Sequence, residues 1–163
     1  MVPEHRRQPD YFAELYVAGV LADAGWNIYF PHRDRGFDFI IAKLVAGNML
    51  LRPVQVKGKY PSGGKTDKPN YGYVGRLTEI HPEMVLSIPF FAAKSQMNPP
   101  LFVAYMPFSL IRRHKRGYRC LPATFQRGEP KRRRDFAQFF DLDGIRRLED
   151  ERWKESTVLT QKY

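Results

Sequence analysis

The spacing of apolar positions divides the chain into a helical start, a strand-rich middle and a helical end. Residues 10–24, DYFAELYVAGVLADA, are rich in helix formers, and Asp10 after Pro9 as N-cap with Gly25 as the stop predicts a first helix there. WNIYF (26–30) then reads as a strand and HRDRG (32–36) as a polar turn. β-Branched and aromatic residues concentrate in FDFIIAKL (37–44) and MLLRPVQVK (49–57), which predict two paired strands. Alternation along the second puts Val54 and Val56 on one side and Pro53, Gln55 and Lys57 on the other. One side is a core face; the other sets an amide and an ammonium side by side.

Between those strands Gly47-Asn48 suits a two-residue type II′ turn. That turn sets Asp38 opposite Lys57 and Ile40 opposite Gln55, with Phe39, Ile41, Val54 and Val56 on the opposite face. Asp38 and Gln55 become diagonal neighbours about 7–8 Å apart at their backbones, within joint reach of one ion.

Farther along, GKYPSGGKTDKPN (58–70) predicts an exposed loop. Its GGKT is not a phosphate loop, because Lys59 stands where that motif needs its first glycine and no helix follows through DKPN. A short strand is expected near 71–77 and a short helix or turn around 82–95, limited by Pro82 and Pro89. LFVAYMPF (101–108) predicts another strand and YRCLPATF (118–125) one more. The end, from 135, reads as one helix interrupted near Gly144 or two short ones, with Asp135 as N-cap and Gln138 completing a capping box. No repeat or boundary divides the 163 residues, a length suited to a single domain with its own core.

Composition narrows the function. Hydrophobic residues at 43% and aromatic residues at 14% belong to a folded chain. The net charge of +10 points to an anionic polymer or surface as partner. The basic residues cluster: Arg112, Arg113, Lys115 and Arg116 in RRHKRGYR, Arg132 and Arg133 in EPKRRR, and Lys57, Lys59, Lys65 and Lys68 between. Any one of these suits a solvated face; three in one small domain favour nucleic acid over a membrane, since none lies on an amphipathic helix with a broad apolar side. The single cysteine, Cys120, excludes an intrachain disulfide, a zinc ribbon and a cysteine-held iron–sulfur cluster, and reads as a buried thiol. MVPEHRRQPD lacks an apolar signal region, and the longest apolar stretch is broken by Pro89, so a cytoplasmic, soluble protein is expected. His5, His32, His81 and His114 show no metal spacing, and no serine sits in a Gly-x-Ser-x-Gly context.

An acid beside a second oxygen donor and a lysine is what metal-assisted phosphodiester cleavage requires. Mg²⁺ takes hard oxygen ligands and is held by few protein groups plus substrate phosphate. Asp38 supplies the anionic ligand and the Gln55 carbonyl a neutral one; Lys57 orients or deprotonates the attacking water, or offsets charge on the phosphate. Glu14, mid-way along the first helix, offers another carboxylate. Separately, Asp38 suits the end of a turn and Lys57 an ordinary cross-strand ion pair.

Together, helix Glu14, then GFDF, a turn, and an apolar strand ending QVKG resemble the PD-(D/E)xK nuclease superfamily, in particular its resolvase-like and homing-endonuclease-like members. The resemblance covers about residues 9–60, with LFVAYMPF as a further core strand. It implies an α/β, restriction-endonuclease-like core, a mixed β-sheet flanked by helices, in the order helix, three antiparallel strands, helix, strand. It implies Mg²⁺ or Mn²⁺ held by Asp38, Gln55, the Val56 carbonyl and Glu14, with Lys57 assisting. Arg35, Lys59, Lys65, Lys68 and the basic clusters then follow the nucleic acid, DNA ahead of RNA, and a homodimer that cuts both strands is compatible with it. Gln55 departs from the family, which has an acid there. That leaves two alternatives open: a nuclease-fold module that binds nucleic acid without cutting it, and a basic subunit of a larger nucleoprotein assembly.

Overall fold

A computed structural model describes residues 8–33, 36–61, 72–92 and 98–159. Arg35, Lys65, Lys68 and the GGKT segment lie outside them. Helix α1, Gln8–Asp23, buries Ala13, Val17, Ala18 and Leu21, whose three- and four-residue steps share one side of a helix. It starts two residues before the expected cap, so Asp10 lies inside its first turn. It stops where expected. Gly25 takes φ 90°, its N–H donates to the Ala22 carbonyl at 3.0 Å, and the Trp26 N–H donates to the Leu21 carbonyl at 3.1 Å, the Schellman arrangement that favours glycine.

The chain is α/β with a mixed sheet. Strands β1 (Asn27–Tyr29), β2 (Phe39–Val45) and β3 (Asn48–Val56) form an antiparallel meander. After β4 (Tyr73–Gly75) come β5 (Val85–Phe90) and β6 (Phe102–Pro107), which complete a five-stranded sheet in the order β1-β2-β3-β5-β6. β5 runs parallel to β3 and antiparallel to β6, and α1 packs against β1, β3 and β5. Strands β7 (Arg112–His114) and β8 (Gly117–Arg119) form a hairpin that joins β4 in a second sheet; β9 (Ala123–Gln126) and β10 (Glu129–Arg132) form a third. The helix implied between β3 and the next core strand is not found among the described residues of 57–84. Among the described residues, no helix is long and apolar enough to cross a membrane.

The β2–β3 register differs from the expected one by two residues. Ala46 and Gly47 form the turn, both with positive φ (48° and 82°) as type I′ requires, so Val45 pairs with Asn48 and Ile40 faces Pro53, not Gln55. Because side chains alternate with period two, this shift leaves every residue on its expected face. Phe39, Ile41, Val54 and Val56 are buried, while Ile40, Leu44, Met49 and Leu51 on the other face are exposed.

Two further expectations are corrected. Residues 85–90 form a strand, not a helix or turn: β5 is buried at every position, so it shows no alternation, and Pro89 is tolerated because regular β3–β5 pairing ends at Val56 opposite Ser87. At the end, a 3₁₀ turn (Arg134–Phe139), helix α2 (Asp141–Arg147) and a second 3₁₀ turn (Trp153–Glu155) replace the capping-box helix. Arg133 takes the cap position, Asp135 pairs with Arg133 at 2.8 Å, and Gln138 Nε2 donates to the Thr157 carbonyl at 2.7 Å. Gly144 lets α2 pass close to its surroundings: a Cβ there lies 2.3 Å from the Phe139 carbonyl oxygen.

Candidate metal and nucleic-acid site

Asp38 stands just ahead of β2, and its backbone N–H donates to the Val54 carbonyl at 2.9 Å. Its Oδ2 accepts the Val56 N–H at 2.6 Å. The carboxylate thus replaces a backbone carbonyl where the β2–β3 ladder ends, which fixes it against the last residue of β3. A strand residue points its N–H and C=O toward the same edge, so the Val56 carbonyl also faces the Asp38 side. The expected cross-strand pairing of Asp38 with Lys57 is replaced by this bond to Val56.

Gln55 is buried, 7% exposed, beside Leu86 of β5. Its Oε1 has no hydrogen-bond partner among the described residues. An amide oxygen stripped of water and given nothing in return costs about 1–3 kcal/mol, so this one is poised for a donor or cation. Lys57 is half-buried, and its backbone N–H donates to the Ser87 carbonyl at 2.9 Å. Glu14 is half-buried on α1, the helix that packs on the strand carrying Gln55. Among the described residues, no group of three or more His, Cys, Asp or Glu side chains gathers around one point, so a metal here depends on the amide and main-chain oxygens beside Asp38.

Lys59 differs from its expected role in an exposed loop. It is half-buried: its N–H donates to the Pro89 carbonyl and its carbonyl accepts the Phe91 N–H, both at 2.9 Å, while Tyr60 stacks on Phe91 at 4.5 Å. Burial, and then the Lys57 charge, lowers the Lys59 ammonium to about 8. Its influence reaches Cys120, which is buried as expected and whose thiol burial pushes up to about 12. Nothing in the residue pattern marks this lysine apart from its neighbours; the pairing with β5 that buries it comes from the Pro89 region, which reads as irregular.

An unfolded lysine stays protonated to about 10.4, so between about 8 and that value the unfolded chain holds the extra proton, and raising pH favours the folded state. Urea midpoints at pH 7.5 and 9.5 should therefore show wild type gaining stability relative to Lys59→Met. Equal changes in both proteins would refute it. Cys120 and Tyr105, whose buried hydroxyl is also shifted upward, act in the opposite sense but are common to both.

Neither a family model, nor a curated protein, nor a solved structure matches this chain.

The basic clusters separate into two kinds. Arg112, Arg113, Lys115 and Arg116 are exposed on the β7–β8 hairpin, where Arg112 pairs with Arg119 and Arg113 with Tyr118. β8 leads directly into Cys120, which feels the Lys59 charge. Arg132 and Arg133, expected on nucleic acid, serve the fold as well. Arg132 lies over Phe102 and Phe140 at 4.8 and 5.2 Å and pairs with Asp141. Arg133 lies over Phe136 at 4.9 Å and donates to the Leu121 carbonyl at 3.2 Å.

Proposed function

We propose that this chain is a Mg²⁺-dependent nuclease with a PD-(D/E)xK-like core, acting on DNA ahead of RNA. The observation that carries the reading is the Asp38 carboxylate anchored on the N–H of Val56, the residue that follows Gln55, whose buried Oε1 has no hydrogen-bond partner among the described residues. The helix followed by three antiparallel strands and a further core strand supports it. Asp38, the Gln55 amide oxygen and the Val56 carbonyl, with Glu14 from the helix, are hard oxygen donors of the kind Mg²⁺ or Mn²⁺ accepts. When bound, such an ion supplies Lewis-acid stabilisation of charge on the phosphate. The chain's own groups do the rest: Lys57 offsets phosphate charge or holds the attacking water, and the β7–β8 ribbon draws in the backbone. Its arginines make binding strongly salt dependent.

Purified protein incubated with supercoiled plasmid, branched DNA and single-stranded RNA in Mg²⁺ or Mn²⁺ tests this. Metal-dependent cutting that Lys57→Ala suppresses while gel-shift binding persists is the expected result; no cutting of any substrate would refute it. Gln55 also favours a second reading, a module that binds nucleic acid without cutting it, because an amide brings one negative charge fewer than an acid. Calorimetric titration separates the two: the module shows no Mg²⁺ or Mn²⁺ affinity that depends on Asp38.

A further inference from the structure

A groove of about 390 Å³ opens beside the candidate site, lined by Pro31, His32, Arg33, Phe37, Phe39 and Ile40. Its size falls within the about 300–1,000 Å³ of small-molecule sites. Phe37 and Phe39 are the two chain neighbours of Asp38, so the groove opens along the segment that carries the carboxylate. The floor is rigid: Phe39 is fully buried and packs against Phe30 at 5.7 Å. His32 and Arg33, which also line the groove, are exposed.

Aromatic walls, an apolar floor and a cationic rim are the combination that receives an unstacked base with its phosphate outside. A fully paired strand keeps its bases stacked in the duplex and has nothing to insert. We propose that this groove takes a single unpaired nucleobase next to the phosphodiester at Asp38, so that the preferred substrate is DNA with a flap, gap or bulge. Phe37 stacks on the base, Ile40 closes the far wall, and Arg33 meets the adjoining phosphate. The inference rests on the nucleic-acid reading above and selects a substrate class within it.

Binding is measured in EDTA, where no cutting occurs, by fluorescence anisotropy on a matched duplex and on the same duplex with one unpaired nucleotide. Wild type is expected to bind the unpaired form about tenfold more tightly. Ile40→Trp, which fills the groove from an exposed position, and Phe37→Ala are expected to erase that preference while affinity for the matched duplex is unchanged. 5-Iodouracil at the unpaired position should crosslink to Phe37 or His32. Equal affinities in wild type, a preference that survives Ile40→Trp, or no binding to either DNA would overturn the proposal. Preference without cleavage in Mg²⁺ would overturn the nuclease reading and leave this one standing.

Discussion

Asp38→Asn is expected to lower metal-dependent cleavage about a thousandfold or more, the scale on which loss of a principal charge-stabilising group acts. Asparagine keeps an oxygen that can accept the Val56 N–H, now held at 2.6 Å by the carboxylate, so the β2–β3 end should stay in place and thermal unfolding should move little. What is lost is the negative charge. Gln55→Glu is the converse experiment. It restores an acid beside Asp38 and, because ligand charge count sets affinity for hard cations, should tighten Mg²⁺ binding about tenfold. Calorimetry and initial rates read both. Cleavage that persists in Asp38→Asn would place the metal elsewhere, and an unchanged affinity in Gln55→Glu would remove Gln55 from its ligands.

The second large effect concerns stability. Arg52 is 1% exposed and sits opposite Ile41 on the core face of the hairpin. Its Nε donates to the Leu148 carbonyl at 2.7 Å, its Nη2 to the Asp150 carbonyl at 2.8 Å, and its Nη1 pairs with Glu83. The guanidinium also lies 5.8 Å from the Trp153 ring centre, and Trp153 Nε1 donates to the Met84 carbonyl at 3.0 Å. Burial lowers the Arg52 pKa, offset by Glu83 and Asp150, but arginine keeps its charge throughout. Arg52→Ala leaves the buried Leu148 carbonyl without its donor, takes from Glu83 its nearer cation and opens a cavity, so a loss of about 3–5 kcal/mol is expected. For a chain of this size that is about 10 °C in melting temperature. Arg52→Met keeps the packing on Trp153 and should cost less. A melting temperature within about 2 °C of wild type for Arg52→Ala would show that the C-terminal segment docks without it.

Local chemistry made α1, β2, β3 and β6 legible, because each carries its own signal: helix formers closed by Gly25, or β-branched and aromatic runs of strand length. The face that holds Gln55 was legible for the same reason. The register was not, because the turn rests on Ala46 at positive φ, a conformation that residue preferences assign to Gly47-Asn48. β5 was hidden by Pro89 and by burial on both sides, which erases alternation. A Gly47-Asn48 turn sets Asp38 against Lys57; with the turn at Ala46-Gly47, Asp38 meets the Val56 N–H instead. Arg52 was invisible for a different reason. Alternation sets it on the core face with Val54 and Val56, but its acceptors Leu148 and Asp150 lie far along the chain, so no local pattern names its role.

The turn at Ala46-Gly47 and the bond between Asp38 and Val56 occupy opposite ends of one hairpin. Residues added or lost at the turn lengthen or shorten the ribbon at its far end and leave pairing near Asp38 as it is. A single residue added within either strand instead reverses the sidedness of everything on one side of it. A change of length in this hairpin is therefore accommodated at 46–47, with the bond at its mouth unmoved.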